Sequence, residues 1–386
     1  MKKVMLLFFI CVLTLTCIGS ESVFAQTTNT TDLAPSCKSA YLCDWRTGTA
    51  IYSKDETKHL PIASMCKIMT MQLCFEEIEK GTLSFEEEVC ISERASGMGG
   101  SQVFLETGGI YKVSELIKSI CIASANDSCV AMAERIAGNE DVFVSKMNEK
   151  AKSLGMNDTV FVNCTGLPQN GQYSCSKDVA TMFRELLRHE EYFNFSKIWM
   201  EDFQHSGGRV TQMANTNKLI RNYQGCDGGK TGYTAEAGFC LSASAIRGNM
   251  RVISVVIGAS DSKSRFAGVS SMFDYAFANY ENRTVLEEGV MQDYSCEVSG
   301  GKEKILSVRP EHAVYIFCKK GDSNNIFYEV EFESVRAPIA RGDVVGTARV
   351  YKDNIEVSSV KLLANEDIEK NSYFDSLKDL AENWNY

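Results

Sequence analysis

The order of β-prone and helical segments along the 386-residue chain limits its fold more than any other feature. Two pairs of β-rich runs flank short turns, and each pair is typical of an antiparallel hairpin: residues 40–44 with 49–53, and residues 239–246 with 251–259. Five segments between the pairs have helical periodicity: residues 64–80, 113–122, 127–137, 141–154 and 178–189. Another helix, over residues 263–280, is expected to pack on the sheet. The pattern predicts an α/β fold built from a helical cluster and an antiparallel sheet, with Lys230 on or leading into a third strand.

The character of the sequence changes after Glu281, where only short β-prone segments follow. They span residues 293–298, 305–308, 313–318, 327–332, 344–351 and 356–363. We therefore expect one mixed domain over residues 37–281 and a small all-β domain over residues 282–365.

Both ends of the chain differ from these domains. Residues 1–25 have the charged start, apolar run and small-residue end of a secretory signal peptide, which fits better than an uncleaved anchor because the apolar run is short and interrupted. Residues 26–36 are polar and predict a flexible lead. The tail, residues 366–386, carries an apolar stripe of Phe374, Leu377, Ala381 and Trp384. The tail has a net negative charge, whereas helices at a membrane surface usually have basic flanks. The stripe is therefore as consistent with packing on the protein as with peripheral membrane contact.

Composition excludes some classes of function. A formal net charge of −10 argues against a nucleic-acid partner. The chain has 15 cysteines but only four histidines, with no CxxC pair and no cluster of ligand spacing, so we expect no metal site. Several cysteines interrupt apolar segments, which predicts mostly free, buried thiols.

Three short strings carry the chemistry. They are Ser64-Met65-Cys66-Lys67, Ser124-Ala125-Asn126 and Lys230-Thr231-Gly232. A serine hydroxyl becomes a useful nucleophile only beside a base, and Lys67 follows Ser64 by one helical turn. The pKa of Lys67 would have to fall for that role, by burial or by a nearby positive charge such as Lys230.

Each string alone has an ordinary structural explanation. Ser64 and Asn126 suit helix caps, and Lys230 suits an edge strand beside a glycine bend. The order, spacing and setting of all three together favour one serine-nucleophile site.

At these residues the chain resembles the low-molecular-mass penicillin-binding proteins that act as D-alanyl-D-alanine carboxypeptidases. The similarity covers roughly residues 37–280 strongly and extends beyond the three strings to residues 93–106, 163–167, 215–219 and 238–258. Residues 282–365 resemble the second domain of that family in length and texture only. The resemblance implies a penicillin-binding, β-lactamase-like transpeptidase domain, exported to the cell wall or the outer face of the cytoplasmic membrane.

The resemblance also implies a role for each matched residue. Ser64 would attack the terminal D-Ala-D-Ala bond of peptidoglycan stem peptides with Lys67 as base, without a cofactor, and β-lactams would acylate it. Ser124 would relay a proton and Asn126 would bind the peptide. Lys230, Thr231 and Arg265 would hold the terminal carboxylate. Gly232 precedes Tyr233, whose N–H would form the oxyanion hole with that of Ser64.

The chain departs from the family pattern at Cys66, Cys164 and Gly229, none of which removes a reacting group. A thiol at Cys66 would make the site sensitive to oxidants. Two alternatives stay open: a β-lactamase, although no ExxLN segment follows Ser124-Ala125-Asn126, and a penicillin sensor or wall-binding protein without activity. A Ser-His-Asp hydrolase would need GxSxG, which the sequence lacks.

Overall fold

The structure is a computed structural model that describes residues 32–291, 293–323 and 325–373. The predicted signal peptide and the four residues of the tail stripe lie outside the described residues. Helices, in chain order, are α1 Lys67–Glu79, α2 Glu93–Ser96, α3 Val113–Ile122, α4 Asn126–Ala137, α5 Glu140–Ser153, α6 Ser176–Leu186, α7 Tyr192–Ser196, α8 Leu219–Asn222 and α9 Ser262–Asn279.

Strands of the first part are β1 Ser39–Asp44, β2 Ala50–Lys54, β3 Glu88–Cys90, β4 Ile110–Lys112, β5 Met200–Gln204, β6 Val210–Ala214, β7 Cys226–Thr234, β8 Gly238–Arg247 and β9 Met250–Ala259. Strands of the second part are β10 Tyr280–Leu286, β11 Ser295–Ser299, β12 Ile305–Pro310, β13 Val314–Lys319, β14 Ile326–Phe332, β15 Val335–Arg336, β16 Val344–Lys352 and β17 Ile355–Ala364. The predicted α/β fold with a following all-β domain is confirmed.

The central sheet has the strand order β2-β1-β9-β8-β7 and is antiparallel throughout. Strand β9 is buried on both faces, because its side chains alternate between two layers of helices. Ile253, Val255 and Ile257 join the main helical core, while Val256 on the other face meets α9, where a Cβ on Gly268 would lie 3.5 Å away. This arrangement leaves β7, which carries Lys230, at the edge of the sheet.

Helix α1 runs through the middle of the helical layer and is buried on all sides from Lys67 to Phe75. The sequence predicted a helix that starts at Ser64. The structure instead has a turn of 3₁₀ helix, Ala63–Cys66, before α1 begins at Lys67. A helix enclosed by other elements buries every face, so its polar residues also have internal partners.

The all-β part has a six-stranded sheet of order β14-β16-β17-β12-β11-β15 and a two-stranded sheet of β10 and β13. Side chains along β12 and β13 alternate between buried and accessible, as expected for a sheet with one face on a core. The part begins at Tyr280, directly after α9, rather than at the predicted residue 282.

Two predicted boundaries need correction. Ala34, inside the predicted flexible lead, is buried, and its carbonyl accepts hydrogen bonds from Cys37 N and Lys54 Nζ. Ile368, inside the predicted tail, is buried and bridges to Ile339. Ala34 and Ile368 are therefore each held by a contact distant in sequence, with Lys54 and Ile339 respectively. Among the described residues, no helix combines the length and apolar character needed to cross a bilayer.

Candidate active site

Ser64 and Lys67 lie within hydrogen-bond distance at the start of the central helix. Ser64 is in the 3₁₀ turn and partly exposed, whereas Lys67 is 0% exposed and its Nζ lies 2.9 Å from Ser64 Oγ. No side-chain hydrogen bond caps either the turn or α1. Ser64 is therefore not a helix cap, and its hydroxyl lies beside a buried amine.

Ser124 and Lys230 form a second buried pair. Ser124 has a left-handed backbone (φ 64°), and its Oγ accepts a hydrogen bond of 2.8 Å from Lys230 Nζ. Lys230 is 1% exposed and also donates to the Thr231 carbonyl at 3.0 Å. The two motifs meet although 106 residues separate them. Lys230 does lie on an edge strand, but it is enclosed rather than solvated.

Burial sets the charge state of both lysines. It lowers the pKa of Lys67, because a desolvated ammonium loses its hydration. Burial, followed by the charge of Lys67, lowers the pKa of Lys230 to about 7. Two ammonium groups in one enclosed site disfavour each other, so the pair favours a state in which one amine is neutral.

Asn126 is the first residue of α4 and does not cap it, since Ala125 stands at the cap position without a side-chain bond. The amide Nδ2 of Asn126 donates to Gly99 O at 2.7 Å, while the buried Oδ1 has no hydrogen-bond partner among the described residues. An unpaired buried acceptor is costly. The side chain is thus fixed by one end and offers a free oxygen.

Strand β7 passes directly beside the 3₁₀ turn. A Cβ on Gly232 would lie 2.7 Å from Ile62 O and 3.2 Å from Ser64 N, so only glycine permits this approach. Tyr233 follows; it is 58% exposed, and its ring is tilted against that of Phe239 at a centroid distance of 4.4 Å. The backbone N–H groups of Ser64 and Tyr233 are thereby brought to one region.

Arg265 also reaches this strand. Its Nη1 donates to Gly232 O and Cys240 O, both at 3.3 Å, and its Nε has no hydrogen-bond partner among the described residues. Burial lowers the pKa of the guanidinium. All nine residues predicted for the site lie around the Ser64 turn, α4 and β7, or contact them.

The segment Asn163–Gly166 packs against the 3₁₀ turn that contains Ser64 and stabilises it, a role that sequence reasoning missed. Its successive carbonyls accept from three side chains of the turn and of α1: Asn163 O from Cys66 Sγ at 3.2 Å, Cys164 O from Thr70 Oγ1 at 2.7 Å, and Thr165 O from Lys67 Nζ at 2.5 Å. The one signal for it in the sequence is the similarity to the family over residues 163–167.

Two further residues were missed. Thr216 Oγ1 accepts from Thr231 Oγ1 at 2.8 Å, and Asp127 accepts from the backbone N–H groups of Val103 and Leu105 at 3.1 Å. Thr216 lies in the segment 215–219, and the similarity of that segment to the family is the one signal for Thr216 in the sequence. Asp127 fixes the loop that supplies Gly99.

Replacing Gly166 by alanine should disrupt the site. Gly166 has φ +81°, and a Cβ there would lie 2.0 Å from Ala63 O, so both backbone strain and overlap oppose the substitution. We expect a loss of about 2–4 kcal/mol in the free energy of unfolding. The matched control is Gly155→Ala, which has φ +72° but nothing within 4 Å and should cost only about 1 kcal/mol. Equal losses in chemical denaturation would contradict the packing argument.

Cysteines near the site are enclosed. All 13 described cysteines are free thiols, and every one but Cys90 is buried. Burial raises the pKa of the Cys66 thiol, so little reactive thiolate forms. Cys164 Sγ lies 3.2 Å from Glu140 Oε1, and Glu140 pairs with Arg94. The expectation that Cys66 makes the site sensitive to oxidants is therefore not supported by its surroundings.

One group of side chains has the composition of a metal site. Asp158, Cys175 and Asp178 bring three atoms able to ligate a metal within 4.8 Å of one another. Asp178 already accepts from Asp158 N at 3.0 Å and from Thr159 Oγ1 at 2.8 Å. These hydrogen bonds account for the cluster, and it contributes no residue to the Ser64 site.

Comparison with known families adds to this geometry. A model of the D-alanyl-D-alanine carboxypeptidase family matches residues 25–261, and a model of the C-terminal domain of penicillin-binding protein 5 matches residues 280–370. The chain is 40% identical to D-alanyl-D-alanine carboxypeptidase DacF of Bacillus subtilis over 386 residues, which is 100% of this chain and 99% of the relative. It is 30% identical to DacA of Escherichia coli over 352 residues, 89% of this chain and 86% of the relative.

Solved structures agree with the fold. Penicillin-binding protein 3 of Streptococcus pneumoniae is similar with a TM-score of 0.72 at 27% identity, over 86% of this chain and 99% of that one. Penicillin-binding protein D2 of Listeria monocytogenes, solved with ampicillin bound, is similar with a TM-score of 0.57 at 30% identity, over 63% of this chain and 98% of that one. The β-rich part is therefore similar to the second domain of these proteins in sequence and fold, and not only in length and texture.

Proposed function

The chain belongs to the D-alanyl-D-alanine carboxypeptidase family of low-molecular-mass penicillin-binding proteins, and on this premise we propose that Ser64 is its nucleophile. The protein is a serine carboxypeptidase of peptidoglycan. We propose that its substrate is the stem pentapeptide, from which it removes the terminal D-alanine, and that β-lactams acylate the same serine. The observation that carries the assignment is the fully buried Lys67 amine 2.9 Å from Ser64 Oγ.

The reaction would proceed by acylation of Ser64 followed by hydrolysis of the acyl-enzyme. Ser64 Oγ attacks the carbonyl of the penultimate D-alanine while neutral Lys67 takes the hydroxyl proton. When the C–N bond breaks, Ser124 passes its proton to the departing amine of D-alanine and regains one from the Lys67 ammonium. Water then attacks the ester, one of its protons restores the Ser64 hydroxyl, and the shortened peptide leaves. The N–H groups of Ser64 and Tyr233 would stabilise the oxyanion in both halves of the reaction.

The remaining residues would bind the peptide. Lys230, Thr231 and Arg265 supply the positive charge and hydroxyl that suit a terminal carboxylate. Gly232 would allow the substrate backbone to lie close to β7. Asn126 is supported as a peptide-binding residue by its amide, which is fixed at Nδ2 and free at Oδ1.

The pH profile should depend on both lysines. Lys67 acts as base only when neutral, so kcat/KM should rise with pH through its pKa, which burial places below the ordinary value. Lys230 binds carboxylate only when charged, so kcat/KM should fall again above about pH 7. Lys230→Arg should remove the falling limb, because guanidinium stays protonated. An unchanged falling limb in that variant would contradict the role of Lys230.

A β-lactamase is the nearest alternative, and it needs a group that activates water against the acyl-enzyme. Among the described residues, Lys67 contacts Ser64 and Thr165 O, and no carboxylate is hydrogen-bonded to Ser64 or Lys67. Slow hydrolysis of a penicilloyl adduct follows from this arrangement. A sensor without activity would not need the complete set of Ser64, Lys67, Ser124 and Lys230.

One assay separates these functions. The protein is incubated with a stem pentapeptide ending in D-Ala-D-Ala and, separately, with penicillin. Release of D-alanine together with a long-lived penicilloyl adduct is expected. Fast turnover of penicillin would indicate a β-lactamase, and an adduct without release of D-alanine would indicate a sensor.

The family places the enzyme at peptidoglycan, and we propose export through the signal peptide of residues 1–25 to the cell wall or the outer face of the cytoplasmic membrane. Peripheral membrane contact would rest on the tail stripe. Co-sedimentation with liposomes of the mature protein, compared with a form ending at residue 373, tests this. Equal sedimentation of both forms would oppose a membrane role for the tail.

A further inference from the structure

A cavity of about 400 Å³ opens beside Ser64, on the side of Ala63. One wall is the segment 166–172, which follows Thr165, whose carbonyl accepts a hydrogen bond from Lys67. The opposite wall is formed by residues 61–63, and the end is closed by Thr234 and Glu236. Ala63 and Gly166, which adjoin Ser64, thus line the cavity, yet none of the nine proposed site residues lines it.

The cavity lies where the upstream part of a bound peptide would run. In the proposed function, the terminal carboxylate sits at Lys230 and Thr231, and the scissile carbonyl sits at Ser64 beside Gly232. A strand rises about 3.3 Å per residue, so Thr234 is roughly 10 Å beyond Thr231 along β7. An extended peptide covers that distance with about three residues. The residue before the two D-alanines therefore falls next to Thr234.

Charge inside the cavity is of one sign. Glu236 is exposed and is the one charged side chain among the residues that line it. Within the described part of the chain, Glu236 has no hydrogen bond or ion pair. Two polar neighbours are already engaged: Gln172 Oε1 accepts from Val162 N and Asn163 N, and Gln169 Oε1 accepts from Asn163 Nδ2. The wall is therefore fixed, and Glu236 alone offers an unpaired charge.

We propose that Glu236 and this cavity form a subsite for a cationic side chain. The ligand class is a stem peptide whose residue before D-Ala-D-Ala carries a side-chain ammonium group. This ammonium group would enter the cavity between the two walls and form an ion pair with the Glu236 carboxylate. The inference rests on the proposed function, because it takes the orientation of the peptide from the roles of Lys230 and Ser64. It adds a residue that selects among substrates without touching the reacting atoms.

The test uses two pentapeptides that differ only in whether that side-chain amine is free or acetylated. The readout is the ratio of kcat/KM for the free amine to kcat/KM for the acetylated peptide, measured by release of D-alanine. We expect a ratio of about five in the wild type, and a smaller ratio in high salt because salt screens the ion pair. Glu236→Gln should bring the ratio close to one, and Glu236→Lys should invert it.

The matched control is Glu333→Gln, an exposed glutamate of the all-β part, which should leave the ratio unchanged. Penicillin labelling verifies that each variant is folded. A ratio near one in the wild type, or the same ratio in wild type and Glu236→Gln, would overturn the subsite while leaving the carboxypeptidase intact. If neither peptide releases D-alanine although penicillin labels the protein, the proposed function itself fails and the subsite with it.

Discussion

Replacing Ser64 by alanine is expected to abolish both release of D-alanine and covalent labelling by penicillin, each by a factor of about 10⁴ or more. The substitution removes the hydroxyl oxygen that lies 2.9 Å from the buried Lys67 amine. Because Ser64 caps no helix, the fold should be retained, with a cost of about 1 kcal/mol for the lost hydrogen bond. Activity is measured as D-alanine release and as adduct mass.

The control for this variant is Ser145→Ala, on the exposed face of α5, which should leave both reactions unchanged. Thermal unfolding shows whether Ser64→Ala is folded. Penicillin labelling of a folded Ser64→Ala protein at the wild-type rate would remove Ser64 from the role of nucleophile.

Lys67→Met should lower the rate of acylation by about 10²–10⁴, which is the usual contribution of a positioned general base. Methionine fills much of the space of lysine, and removing a buried amine is not strongly destabilising. The carbonyl of Thr165 loses its partner, so the free energy of unfolding should fall by only about 1–2 kcal/mol. Lys146→Met, on an exposed position of α5, is the matched control.

A second variant separates the basic role of Lys67 from a structural one. Lys67→Arg keeps a hydrogen-bond donor and a charge, but guanidinium does not lose its proton near neutral pH. We expect Lys67→Arg to be as slow as Lys67→Met in stopped-flow acylation. Acylation of Lys67→Arg near the wild-type rate would show that position 67 acts by shape or charge alone.

Local patterns were enough to predict most elements. Helix α3 has the predicted bounds of 113–122, and the hairpin of β8 and β9 forms around Gly248 as expected. These elements depend on periodicity and turn residues close in sequence. The three short motifs also predicted side chains that would lie together, and the structure brings Ser64 to Lys67 and Ser124 to Lys230 within hydrogen-bond distance.

Long-range packing was not predictable in the same way. The 3₁₀ turn at Ser64 depends on Ala63, whose φ is +48°, and on the approach of Gly166 from about 100 residues later. Thr216 contacts Thr231, and the family similarity over residues 215–219 marks its segment without indicating this contact. The cavity at Glu236 likewise exists only because two distant segments face each other. Such features follow from tertiary contacts, for which one sequence has no local signal.

The most direct test of the account is to locate the adduct that penicillin leaves on the wild-type protein. The protein is labelled briefly, digested and mapped by mass spectrometry. The account predicts one penicilloyl group per chain, on the peptide that contains Ser64 and at that serine. An adduct on another residue, with Ser64 unmodified, would contradict it.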